Sequence, residues 1–421
     1  MNLPLLDETT PFSCGSCGAC CDQPWRTMIE ADKARALDAH DFGAYPQLSG
    51  KRFYRPAADG RAGFFDLAKG EGTRCLFLDH DGLCIIHKEL GPDAKPAMCR
   101  QFPFLPSRTW TDDRVSVNYG CPSAQASRGA ALADQRGQIE ASTPRSQRPH
   151  KGAGVNVRLD RTRTIRHSEY ESLMERCMAI FGAAESGSVW SRFAKVLDSL
   201  DSWPADGAAD DDRKASADEV IAPANRSALP MPSRLLFAST LYPDTLPSEP
   251  TGKVGLVKRL MLLPRLMSLG QLTGVYASRI CGRNIDVDAV LRHEVRPDLA
   301  AGATALLLRY FRSRFWQRMI VGTRLPVVAG VHQHILDFGA IVFLSRAQAA
   351  HRNEAVIDES SVRRALTGVE FHLANQARVH EQTLKGWFIS NLCNLELARS
   401  SLRLMALRTA GEAAAAASFS S

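Results

Sequence analysis

Apolar residues recur at helical spacing through most of the second half of this chain. Leu306–Met319, Val331–Ala347, Val362–Val379 and Leu384–Leu407 are long periodic runs. Each predicts a helix, with Asp358 or Ser361 as the N-cap of the third. Two amphipathic segments precede them. Ile165, Leu173, Cys177, Ile180 and Phe181 form one stripe; Val189, Phe193, Val196, Leu197 and Leu200 form a cleaner one. Residues 1–125 read differently, as short apolar strings broken by turn residues, with one helix expected over Met28–His40. Cys75-Leu-Phe-Leu and Leu83-Cys-Ile-Ile flank the turn signal Asp79-His-Asp-Gly, which predicts a hairpin. The expected fold class is therefore α-rich α+β: an irregular cysteine-rich module with a small β-hairpin, followed by a mainly helical domain.

The organisation expected from this pattern has five parts. They are a cysteine module at 1–125, a connection with two helices at 126–200, a linker or exposed loop at 201–232, a helical domain at 233–410 and a disordered tail at 411–421. Ser123–Arg158 is polar and reads as a loop, and Asp201–Pro232 is rich in Ala, Asp, Ser and Pro. No internal repeat is evident.

Composition adds a few bounds. With 421 residues, 45% hydrophobic and 23% charged, the chain has the make-up of an ordinary globular protein. The most apolar stretch, Met319–Leu344, is interrupted by Arg324, Pro326, His332, His334 and Asp337, so no membrane association is expected. The N-terminus lacks the basic start and long apolar run of a secretory signal. Together with the odd total of 11 cysteines, this points to free thiols in a reducing cytoplasm rather than a disulfide framework. Residues 1–121 carry 14 Lys and Arg against 16 Asp and Glu, and the rest carry 38 against 29. The basic excess is spread out and not interleaved with aromatics, so nucleic acid is not the expected partner.

The chemistry lies in the cysteines. Eight fall in one ordered array: Cys14, Cys17, Cys20, Cys21, Cys75, Cys84, Cys99 and Cys121. It opens as C-x-x-C-x-x-C-C, and such clustering of soft thiolate ligands suits zinc or an iron–sulfur centre. Pro24 stands where a ferredoxin-type run would place its fourth cysteine, so that ligand must come from elsewhere. Adjacent side chains diverge, so either Cys20 or Cys21 is a spare or the two serve different centres. A His80–Asp81 loop would put Cys84 opposite Phe77, about 7–8 Å diagonally from Cys75. An Asp81–Gly82 loop would separate the pair by about 13 Å along the strand. Phe102 and Phe104 are expected to shield a centre and Arg100 to offset its charge.

Other polar residues read as structural. Cys177, Cys281 and Cys393 sit in helical context and are expected to be small core hydrophobes. His87 stands three residues after Cys84 as a ligand, a supporting group or a surface histidine. His332 and His334, two apart, diverge on a helix. Asp79 and Asp81 read as turn residues. Nucleotide-binding and hydrolase motifs are missing, and Gly70-Glu-Gly72 reads as a turn. Catalytic residues and a small-molecule cofactor site are therefore not assigned.

Cys14-G-S-C-G-A-C-Cys21 resembles the opening of the bacterial CxxCxxCC cysteine-cluster proteins, a zinc- or iron-chelating group. Cys75-L-F-L-D-H-D-G-L-Cys84 and Cys99-R-Q-F-P-F resemble their second block. V-S-V-N-Y-G-Cys121-P-S-A, the length and the helical second half are similar to the flagellin lysine N-methylase branch. The resemblance implies an iron–sulfur centre held by cysteines, in preference to zinc. In that branch it also implies methyl transfer from S-adenosylmethionine to lysines of flagellin or another surface protein. The alternatives are a non-catalytic metal storage, delivery or sensing protein, and a zinc-stabilised interaction module.

Overall fold

The computed structural model describes residues 5–7, 10–23, 25–143, 150–182, 187–203, 230–241, 267–268, 270–292, 299–318, 325–374 and 394–405. Most of the expected linker, the whole expected tail and Cys393 lie outside these residues.

Where they are described the periodic runs form helices; residues 375–379 and 384–393 of the last two runs lie outside the described residues. α6 (His167–Gly182), α7 (Val189–Asp201), α8 (Met231–Leu241), α10 (Ala301–Trp316), α11 (Val327–Arg352), α12 (Glu359–Gly368) and α13 (Leu395–Met405) pack into the larger core. α7 begins where the Ser188 hydroxyl accepts the Ser191 N–H at 3.2 Å. α12 begins where the Asp358 carboxylate accepts the Ser361 N–H at 2.9 Å, so Asp358 is the cap. Beyond Gly368 the chain continues in a π-helical turn, Val369–Ala374.

α11 is the central helix, with α7, α8, α12 and α13 against it. It is long and apolar enough to cross a membrane by length and composition, but 94% of its most apolar window is buried in the fold. Buried all round, it stops at Asn353 in the left-handed conformation, a common helix terminator. Tyr310, Phe311 and Phe315 of α10 fill the space beside it.

The cysteine region is built from shorter pieces. Met28–His40 is not one helix: strand β2 (Met28–Glu30) leads into α1 (Ala31–Ala39). β2, β3 (Tyr54–Pro56) and β4 (Phe64–Leu67) form an antiparallel sheet in the order β2-β4-β3, with Ile29 opposite Phe65. α1 and α2 (Ile85–Leu90) supply the rest of a small core: Ile29, Leu37, Phe42, Phe77, Ile85 and Ile86. A second sheet joins β1 (Leu5–Leu6), β5 (Phe104–Arg108) and β6 (Asp113–Val117) in the order β1-β6-β5. Its apolar residues Leu6, Phe104, Val115 and Val117 belong to the larger core. The cysteine-bearing stretch is thus divided between two cores.

Much of one expected loop is structured, and the expected helical domain contains a hairpin. Ser123–Arg158 includes α4 (Pro122–Ala126) at its start, α5 (Arg136–Ser142) and β7 (Asn156–Arg158), which pairs with β8 (Thr164–Arg166). Ile165 therefore sits in a strand, and the helix starts at His167. β9 (Val275–Ser278) and β10 (Arg283–Asp286) form a hairpin, leading to α9 (Val287–Arg292). Cys281 lies in that hairpin's turn, half-buried, not on a helix.

Candidate metal centre

The first cysteine loop depends on glycine. Gly18 has φ +68, and its amide carbonyl accepts the Cys21 N–H at 2.8 Å, closing a 3-10 turn over Ala19–Cys21. A Cβ on Gly18 would stand 3.1 Å from the Gly82 carbonyl oxygen. Gly82, at φ +81, faces the Ser16 carbonyl in return. The two cysteine-bearing loops therefore touch backbone to backbone.

Further hydrogen bonds fix their register. The Cys75 N–H donates to the Cys21 carbonyl at 2.7 Å, and Lys69 Nζ donates to the Gln23 carbonyl at 3.0 Å. The expected hairpin is instead a tight turn. Leu78 bridges Cys84, and the Asp79 N–H donates to the Leu83 carbonyl at 2.9 Å. Cys84 thus stands opposite Leu78, a register between the two considered, because three residues make the loop. Leu83-Cys-Ile-Ile does not continue as a strand, since α2 begins at Ile85 with Cys84 at its N-cap position.

Asp79 and Asp81 serve this turn, as expected. Lys88 Nζ reaches Asp79 at 2.6 Å and Asp81 at 2.5 Å, and that contact holds both carboxyls below their usual range. Gly70–Arg74 is likewise a closed turn, with the Gly70 N–H on the Arg74 carbonyl at 2.8 Å.

Cys99 arrives on α3 (Ala97–Gln101). Glu30 Oε1 accepts the Ala97 N–H at 3.1 Å, which ties α3 to the end of β2. A cis Phe102–Pro103 peptide then leads into β5.

Five of the eight thiols line one cavity of about 50 Å³: Cys20, Cys21, Cys75, Cys84 and Cys99. Cys20 and Cys21 are neighbours in sequence, and only the fold brings them together with Cys75, Cys84 and Cys99. Cys20 and Cys21 do not point apart: their Sγ atoms are 3.9 Å from each other. Trp25, Phe77 and Phe102 supply apolar wall, and Lys69 and Lys95 supply positive charge. The remaining three lie outside. Cys14 and Cys17 are exposed, and Cys121 is buried at the N-cap of α4. The loop of Cys14 nevertheless docks beside Cys121, since the Gly15 N–H donates to Ser123 Oγ at 3.0 Å.

Burial favours the protonated thiol at Cys75, Cys99 and Cys121. It pushes Cys99 up to about 12 and Cys121 up to about 11, and it raises Cys75. Cys20 is raised first by its contact with the Cys21 thiol and then by burial. Neighbouring thiols add to the shift, Cys75 and Cys84 acting on Cys99, while Lys95 opposes it. A thiol so placed ionises when a cation replaces its proton.

The fit to a metal is one of donor chemistry. The cavity offers soft ligands in an apolar, lysine-balanced setting, which suits zinc or iron–sulfur. As the side chains are placed, no three Cys, His, Asp or Glu among the described residues converge tightly enough to hold an ion. Closing on one asks the thiols to turn about their Cα–Cβ bonds.

Other expectations fare unevenly. Phe102 lines the cavity, whereas Phe104 packs edge to face on Phe12 in the larger core. Arg100 turns to Asp93 at 3.2 Å, and the cationic lining comes from the lysines. His87 is exposed on α2. His332 Nε2 meets Ser401 Oγ at 2.7 Å, and His334 is buried against Phe315. Cys177 is a fully buried core residue. Lys69, Lys95 and Trp25 were missed. Trp25 follows the vicinal pair closely in sequence, and that aromatic was a readable signal.

No curated protein and no solved structure matches this chain. Residues 13–122, which carry all eight clustered cysteines, match the CxxCxxCC family, described as "Putative zinc- or iron-chelating domain".

Proposed function

We propose that this is a thiolate metal-binding protein whose centre is the cavity lined by Cys20, Cys21, Cys75, Cys84 and Cys99. The observation that carries the reading is the convergence of five thiols, from four places in the chain, on one small, mostly apolar cavity. Cys14, Cys17 and Cys121 form an outer group, with the exposed pair placed to meet an incoming ion first. The zinc- or iron-chelating description of the matched segment supports the same reading. A metal bound there ties together segments distant in sequence and contributes directly to folding. Free thiols in this number call for a reducing compartment, so a cytoplasmic location belongs to the proposal.

The test is anaerobic purification followed by absorption spectroscopy and analysis for iron, zinc and sulfide. Iron with sulfide and a broad band near ~400 nm means an iron–sulfur centre. A colourless protein with bound zinc means a closed thiolate site. Neither metal means the reading is wrong. Cys99→Ser is expected to lose most of the metal and Cys177→Ser to keep it; equal metal in both would move the centre elsewhere.

The finer reading joins an iron–sulfur centre to lysine methylation with S-adenosylmethionine, with flagellin or another surface protein as substrate. It is supported by the segment around Cys121 and by the large helical half. Its own test is labelled methyl transfer to host proteins by the metal-replete chain, and no incorporation refutes it. Without methylation, metal storage, delivery or sensing remains as the function of the same centre.

A further inference from the structure

The wall over the five thiols comes from the cysteine region, but it is backed from the helical half. Trp25 and Phe102 face the cavity with their rings 5.1 Å apart, edge to face. Phe371 packs against both, 4.8 Å from Trp25 at 84° and 6.1 Å from Phe102. Phe371 is 6% exposed and belongs to the π-helical turn that extends α12. Such turns occur often at functional sites, because they shift side chains off the α-helical register.

The same turn is anchored on its other side. Glu370, next in the chain, pairs with Arg314 and accepts the Tyr310 hydroxyl at 2.7 Å, all three buried in the helical core. The cysteine region also holds α12 directly. Gln125 Nε2 donates to Thr367 Oγ1 at 2.8 Å, and a Cβ on Gly120 would stand 2.8 Å from Phe371 Cζ. Residues before and after Cys121 are thus fitted to the helix that carries Phe371.

We propose that Phe371 is a positioning residue of the metal centre, supporting Trp25 and Phe102 over the thiols and linking occupancy of the cavity to the turn Val369–Ala374. The inference rests on the cavity being the metal site. Phe371 lies far outside the cysteine-bearing segment, so the helical half becomes part of the centre. The coupling runs both ways: whatever a bound metal does to the turn, the turn does to the metal's affinity. Removing the ring behind Trp25 frees that side chain to move and lets water reach the thiolates, which weakens their hold.

The experiment compares full-length protein purified anaerobically with the same protein stripped by chelator. In the wild type, metal is expected to slow hydrogen exchange over residues 369–374. Phe371→Ala is expected to release its metal at about tenfold lower chelator concentration, the low end for residues that support ligands. Phe371→Leu, which keeps most of the volume, is expected to fall between, and serves alone if the alanine variant does not fold. Phe237→Ala is the control: its ring packs on Phe343, away from the cavity, so it should lower the unfolding midpoint and leave metal retention unchanged. Equal retention in wild type and the Phe371 variants overturns the inference. So does an equal loss in Phe237→Ala, or exchange over 369–374 that ignores the metal. A wild type that carries and takes up neither zinc nor iron removes the metal reading itself, and this inference with it.

Discussion

His334 shows what burial does to a single titrating group. It lies on α11 between Phe311 and Phe315, and both ring nitrogens are buried without a hydrogen-bond partner among the described residues. Desolvation, and then the nearby Arg314 cation, push it down to about 3. In the unfolded chain the same group titrates near ~6.5. Below that pH the unfolded state takes up a proton that the folded state refuses, so stability present above ~6.5 drains away as pH falls toward 3. The loss is about 1.4 kcal/mol per pH unit from this residue alone. Urea midpoints measured from pH 7 to pH 4 should therefore fall less steeply in His334→Leu than in the wild type. Parallel curves would mean that His334 is protonated in the native protein.

Among the elements, the loop of Cys17 and the turn of Asp79–Leu83 are the pair whose contact fixes the cavity. Gly18 meets two demands there, a left-handed backbone and the approach of the Gly82 carbonyl. Gly72 meets only the first, at φ +60 with nothing near its missing Cβ. Gly72→Ala is expected to cost about 1 kcal/mol from backbone strain. Gly18→Ala should cost more and also lower the metal retained against chelator, because the loops must part. Equal unfolding midpoints for the two variants would show that the contact does not matter. The long helices around α11 were legible in the sequence, since their stripes exceed what short-range packing can imitate. The metal region was legible only as a set of ligands. Its elements run two to six residues over much of their length, and tertiary contact rather than period decides their type. Thus Ile85-Ile86, β-branched and next to a turn, became helix because both bury in the small core there. The grouping of Cys20 with Cys21 also escaped the sequence, because a 3-10 turn rather than a strand or α-helix carries them. Phe371 left no sequence signal, being joined to the thiols only by the folded chain.

On the scale of the molecule, the helical half is organised around charges as well as rings. Arg314 and Glu370 are 7% and 3% exposed, and Tyr310 completes their hydrogen bonding. Glu370→Ala leaves a guanidinium buried without its carboxylate, which should cost roughly 3–5 kcal/mol. Arg314→Met combined with Glu370→Leu should recover much of that loss, since an apolar pair of similar volume needs no solvation. Denaturant midpoints of the single and double variants check this, and a double variant no better than the single would count against it.

The sheet of β1, β5 and β6 carries a consequence of its own. The resemblance stops at residue 122, but Val115, Val117 and Tyr119 already pack among residues of α6 to α13. A fragment cut at that border would carry every clustered cysteine and still present a raw apolar face to water. The segment cannot be lifted out and grafted like a cassette. Any rearrangement that moved the thiols without their helical bed would deliver a sticky, misfolding piece, so ligands and scaffold are bound to travel together.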